Sequence, residues 1–81
     1  METTAAPRLT LAVVIPAFNE AATLRDVVVR VLRQVNRVIV IDDGSVDGTA
    51  AAVADLPVTL LSNAENLGKA ATLRRGMARA L

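Results

Sequence analysis

The chain has 81 residues, 53% of them hydrophobic, which is enough for one small domain. It contains no cysteine and no histidine, so a disulfide framework, thiolate or imidazole metal ligands and the commonest general base are all excluded. Nine basic residues against eight acidic ones, with Phe18 the only aromatic, argue against a nucleic-acid partner: there is neither a basic excess nor a platform for stacking bases.

Carboxylates are left to carry any catalysis or cation binding. No apolar run approaches the ~20 residues of a membrane span, and residues 1–8 lack the apolar region of a signal peptide, so a cytoplasmic location is expected. Residues 1–8 are small and polar and are expected to be a disordered lead; the domain is expected to occupy residues 9–81.

Leu11-Ala12-Val13-Val14-Ile15 is a near-continuous apolar run. It predicts a first buried strand over Leu9–Ile15, with Pro16 ending it because proline cannot donate to a ladder. Pro16-Ala17-Phe18-Asn19-Glu20 then reads as a loop into a helix, with Asn19 as N-cap and Glu20 as a first-turn acid. The helix is predicted from Ala21 to about Val35, since Leu24, Val27, Val28, Val31, Leu32 and Val35 recur at three and four residues along one stripe. Asn36 is its expected stop.

Val38-Ile39-Val40-Ile41 is apolar on both faces, which predicts a central strand of a parallel sheet. It runs straight into Asp42-Asp43, the only adjacent acids in the chain. Beyond Gly44, Ser45 is expected to cap a short helix from Val46 to about Asp55, with Asp47 in its first turn and Pro57 closing it. Val58–Leu61 predicts a third strand and residues 62–66 a polar loop. A last helix is predicted from about Lys69 to the end, with Ala70, Leu73, Met77 and Leu81 on its apolar face. The order βαβαβα, with short connections, calls for an α/β fold with a right-handed parallel sheet of three strands in the order 3-2-1 and flanking helices.

Several motifs fail on inspection. Asp43, Ser45, Asp47 and Gly48 match half of an EF-hand loop, but Ala54 stands where its bidentate Glu is required. Gly68-Lys69 resembles the end of a P-loop, but Asn63 and Ala70 replace its first glycine and its Ser/Thr. No Gly-x-Gly-x-x-Gly follows a strand. The acid pair stands after the second strand, not the first, which counts against a phospho-accepting receiver domain.

Three loops remain, all at carboxyl ends of parallel strands, where open α/β sheets bind ligands: Pro16–Glu20, Asp42–Ser45 and Asn66–Lys69. Carboxylates there accept hydrogen bonds from ribose hydroxyls or a base N–H. A lysine at a helix N-terminus attracts phosphate. Together they read as a nucleotide site that needs no His or Cys.

In order and spacing, Val14-Ile15-Pro16-Ala17-Phe18-Asn19-Glu20, Val40-Ile41-Asp42-Asp43-Gly44-Ser45-Val46-Asp47-Gly48-Thr49 and Asn66-Leu67-Gly68-Lys69 resemble the start of family 2 glycosyltransferases with the GT-A fold, over about residues 10–81. The flavour is closest to the polyprenyl-phosphate (dolichol-phosphate) sugar transferases. The resemblance implies a Rossmann-like first half of a GT-A domain, the nucleotide-binding part of an inverting enzyme that uses a UDP- or GDP-sugar and an acceptor such as a lipid phosphate or glycan. It implies that Pro16, Ala17, Phe18 and Glu20 line the nucleotide, that Asp43 contacts base or ribose with Asp42 beside it, and that Gly68 and Lys69 close over the ligand.

The resemblance also implies a divalent cation, Mg2+ or Mn2+, for the full-length family domain, and a location that can include the inner membrane face. The family's Asp-x-Asp metal site lies on a later strand, however, and no Asp occurs after Asp55. The chain is therefore expected to hold no metal strongly, to contribute no catalytic residue and to be inactive alone. In the GT-A fold the first strand pairs with a later one, so its free edge is expected to favour self-association. The alternative is a non-catalytic α/β nucleotide-binding or interaction module.

Overall fold

The computed structural model describes residues 9–81; the expected lead at residues 1–8 lies outside the described residues. Three parallel strands, β1 (Leu9–Ala17), β2 (Val35–Asp43) and β3 (Thr59–Asn63), pair in the order β1-β2-β3. The acid-tipped strand is central, as its two-sided apolar run predicts. Helix α1 (Ala21–Leu32) joins β1 to β2, and α2 (Lys69–Ala80) follows β3.

The alternation of β2 divides the core. Val38 and Val40 join Leu24 and Val28 of α1, Val53 and Ala17 in one buried cluster. Ile39 and Ile41 point the other way, and Ile41 and Val14 meet Gly76 of α2. Burying each of these two isoleucines fully stabilises the fold by roughly 1.5–3 kcal/mol. The α2 face that packs here is Thr72 and Gly76, both buried. Of the expected apolar face only Leu73 is half-buried; Met77 is 52% exposed, and Ala70 and Leu81 are exposed too. Helix α2 lies so close to β1 and β2 at Gly76 that even a Cβ there would clash with Val14 and Ile41.

Several boundaries differ from the sequence expectation. Pro16 does not end β1; it pairs in register with Ile41, and β1 is an edge strand among the described residues, where a missing N–H is tolerated. Helix α1 stops at Leu32, and Val35, expected as its last apolar residue, opens β2 opposite Leu9. Asn36 therefore lies in the strand rather than ending the helix. Periodicity could not separate the two, because Val35 is buried either way and its β-branched chain suits the sheet. Ser62 and Asn63, expected in a loop, extend β3 opposite Asp42 and Asp43.

The short helix expected over residues 46–55 is absent. Residues 46–50 form bends and a turn, followed by a single 3₁₀ turn at Ala51–Val53. Of the side chains expected to begin that helix, Ser45 bonds to the chain before α1, and Asp47 divides its oxygens between Thr49 and the first residue of α1. Arg25 of α1 holds this segment from outside, reaching Asp55 at 2.6 and 3.0 Å and the Ala52 carbonyl at 3.0 Å.

Candidate functional site

The carboxyl ends of β1 and β2 and the loop before α2 converge on a cavity of about 270 Å³ lined by Pro16, Ala17, Phe18, Glu20, Asp43, Asn66, Gly68 and Lys69. Seven of the eight sequence-selected residues stand at this one place. The eighth, Asp42, does not line it: the side chain is buried, and its Oδ1 accepts the Ser45 N–H at 3.0 Å. Asn66, the first residue of the third motif, also lines the cavity, and its Nδ2 reaches the Asp43 carbonyl at 3.3 Å.

The first wall is Pro16–Glu20. Asn19 is not the N-cap of α1. It sits at φ 52°, a left-handed conformation that asparagine tolerates, and its Oδ1 accepts the Val46 N–H at 3.0 Å. Glu20 occupies the cap position without a capping bond from its own side chain; its Oε1 accepts the Phe18 N–H at 3.2 Å. The capping groups come from the second loop. Ser45 Oγ accepts the Asn19 N–H at 2.8 Å, Thr49 Oγ1 the Glu20 N–H at 2.9 Å and Asp47 Oδ2 the Ala21 N–H at 3.1 Å. Ser45 and Asp47 thus serve α1 rather than a helix of their own. The hydroxyl of Thr49 donates to Asp47, which is the main reason the Asp47 carboxyl titrates below its ordinary range.

The second wall is the tip of β2. Asp43 is only 4% exposed, yet it is the acid of the adjacent pair that meets the cavity. Its Oδ1 accepts the Leu67 N–H and the Asn63 Nδ2, each at 2.8 Å, and its Oδ2 accepts the Gly68 N–H at 3.0 Å. The Leu67 amide is the largest cause of its lowered pKa; Asn63, Thr72 and Gly68 add to it against the opposing effect of burial. A carboxylate that accepts this many donors stays ionised. Asp43, expected to contact a ligand, also holds the loop that opens α2.

The third wall is that loop. Gly68 is the N-cap of α2, without a capping side chain, and Lys69 begins the helix at the cavity. The site therefore combines a helix N-terminus and an ammonium on one side, two carboxylates on others and one aromatic ring, Phe18, 46% exposed at the mouth. Such a set can hold an anionic group beside Lys69 and a polar ring beside Asp43.

A model of the glycosyl transferase family 2 matches residues 12–81, which include all three walls. The chain belongs to glycosyl transferase family 2. No curated protein is similar enough to count as a match. The α/β architecture with its parallel sheet is that of a Rossmann-like first half of a GT-A domain.

Family 2 enzymes as a class generally use divalent cations. Among the described residues no group of three or more His, Cys, Asp or Glu lies close enough together to hold one. The adjacent pair Asp42–Asp43 already receives N–H donors from Ser45, Leu67 and Gly68. This donor set does not fit a divalent cation. Among the described residues no helix is long and apolar enough to cross a membrane.

Proposed function

We propose that the cavity binds the nucleotide of a nucleotide-sugar, and that the chain supplies the donor-binding part of a family 2 glycosyltransferase. The observation that carries this reading is the meeting of three loops, separated in sequence, around one cavity of nucleoside size with a lysine and a helix N-terminus on its rim. Lys69 and the first turn of α2 would face the diphosphate. Phe18 offers a ring face to the base, and Asp43 and Glu20 accept from base N–H or ribose hydroxyls. On this reading the donor is a UDP- or GDP-sugar, and the motif flavour favours a polyprenyl phosphate as acceptor. The chain's own residues bind and orient the donor; none is assigned to chemistry at the anomeric carbon.

Titration of the 15N-labelled chain with UDP, GDP and the corresponding nucleosides tests this. Shifts should cluster at Ala17–Glu20, Asp43–Ser45 and Asn66–Lys69. The affinity should be about 1 mM, near −4 kcal/mol, and little changed by Mg2+ or Mn2+. Lys69→Ala should weaken the diphosphates more than the nucleosides. Asp43→Asn should remove the response more fully than Asp42→Asn. Shifts clustering elsewhere, or a response driven by manganese at Asp47, would overturn the assignment.

A further inference from the structure

The polar chain behind Asp43 reaches an exposed residue of α2, Arg75. Arg75 Nη1 donates to Asn63 Oδ1 at 2.5 Å and to the Ser62 carbonyl at 2.8 Å. Asn63 Nδ2 donates to Asp43 Oδ1 at 2.8 Å and to Thr72 Oγ1 at 3.1 Å. Asn63, Thr72 and Asp43 are all buried, whereas Arg75 is exposed and does not line the cavity.

A carboxamide has two ends, one accepting and one donating, and a half-turn about its last bond exchanges them. Asn63 lies between a guanidinium, which can only donate, and a carboxylate, which can only accept. Only one orientation satisfies both neighbours. The flipped amide would set donor against donor at Arg75 and acceptor against acceptor at Asp43, inside a buried network where unpaired groups are costly.

We propose that Arg75 is a positioning residue for the cavity: by holding Oδ1 of Asn63 it turns the amide donor toward Asp43, and Asp43 so fixed holds the Leu67 and Gly68 amides that place the third wall. Arg75 thus acts on the cavity through two intervening hydrogen bonds without touching a ligand. The groups that face the Asp43 carboxylate are the Asn63 amide, the Thr72 hydroxyl and the Leu67 and Gly68 amides; Asp42 adjoins it on β2, and Glu20 and Lys69 share the cavity. The role of this network in binding rests on the nucleotide reading above, but its geometry can be tested without a ligand.

The experiment uses the full chain and three variants: Arg75→Ala, Arg75→Lys, and Arg74→Ala as a neighbouring loss of charge. Two ligand-free spectra are read, the 13C titration of the Asp43 carboxyl and the side-chain 1H–15N resonances of Asn63. Arg75→Ala should raise the Asp43 midpoint toward the ordinary carboxylate range and move the Asn63 resonances. Arg75→Lys should restore most of both, and Arg74→Ala should change neither. UDP or GDP binding should weaken several-fold in Arg75→Ala alone. Unchanged Asp43 and Asn63 signals in Arg75→Ala, or equal changes in Arg74→Ala, overturn the positioning role. A wild-type chain with no nucleotide response overturns the reading of the cavity and the part of Arg75 in binding, while the ligand-free spectra decide the geometry by themselves.

Discussion

The carboxylate of Asp47 accepts the backbone N–H of Ala21, the first residue of α1, at 3.1 Å across 26 positions of chain. A helix that lacks a capping side chain of its own is thus capped by a loop from the next strand. The same bond sets the first cavity wall against the second. Asp47→Ala should lower the melting temperature and speed amide exchange at Ala21 and Glu20. Asp47→Asn should retain most of the stability, because asparagine caps about as well as aspartate. Thermal melts of the two variants check this; equal losses would mean that the charge, not the cap, matters.

Gly44 has φ +76°, and a Cβ there would lie 2.5 Å from the backbone of Glu65 and Asn66. A left-handed alanine costs about 1–2 kcal/mol on its own. The clash with backbone cannot be relieved by a rotamer. Gly44→Ala should therefore destabilise by more than the conformational cost alone and displace the third wall. Denaturant melts give the first result, and amide shifts at Asn66–Lys69 give the second.

Gly76 poses the opposite balance. Alanine would gain about 1 kcal/mol of helix propensity, but its Cβ would stand 2.5 Å from Ile41 Cδ1 and closer still to Val14 Cγ1. Overpacking of this kind costs about 1–3 kcal/mol. The isoleucine tip can turn aside, whereas the β-branched valine has little freedom. A net loss of up to about 2 kcal/mol is expected for Gly76→Ala and a larger one for Gly76→Leu, read as a fall in denaturant midpoint at constant slope. A stabilised Gly76→Ala would show that α2 moves off the sheet readily.

Among the described residues three carboxyls titrate below their ordinary range: Asp43, chiefly through the Leu67 amide; Asp47, chiefly through the Thr49 hydroxyl; and Asp55, chiefly through Arg25. A depressed folded pKa contributes stability that is fully present above the unfolded value, about 3.9 for aspartate, and is lost as pH falls through the folded value. With no histidine in the chain, stability should vary little between pH 5 and 8 from side-chain titration and fall steeply below about pH 4. Melting temperatures from pH 8 to pH 2 test this. Asp43→Asn and Asp47→Asn should each flatten the acid limb.

The sequence by itself determined the parallel order, the central place of β2 and the three loops that carry the cavity. Each rests on a local signal: a short, β-branched run that is apolar on both faces and ends in turn residues fits a buried strand, and parallel strands joined by short crossovers put the following loops at one end of the sheet. Only the tertiary structure decided what the polar residues of those loops bond to. Asn19, Ser45 and Asp47 have the composition of local caps, yet each accepts an N–H from across more than 20 positions, and Asp47 adds that bond to its local one with Thr49. Val35 satisfies a helical stripe and a strand equally, and its pairing with Leu9 settles the matter. Asn63 and Arg75 carry no motif, because their relation to Asp43 exists only once β3 lies beside β2 and α2 folds back over the sheet. Hydrophobic pattern is a property of neighbours in sequence. Hydrogen-bond partnership is a property of neighbours in space, so the scaffold was legible and the wiring of the site was not.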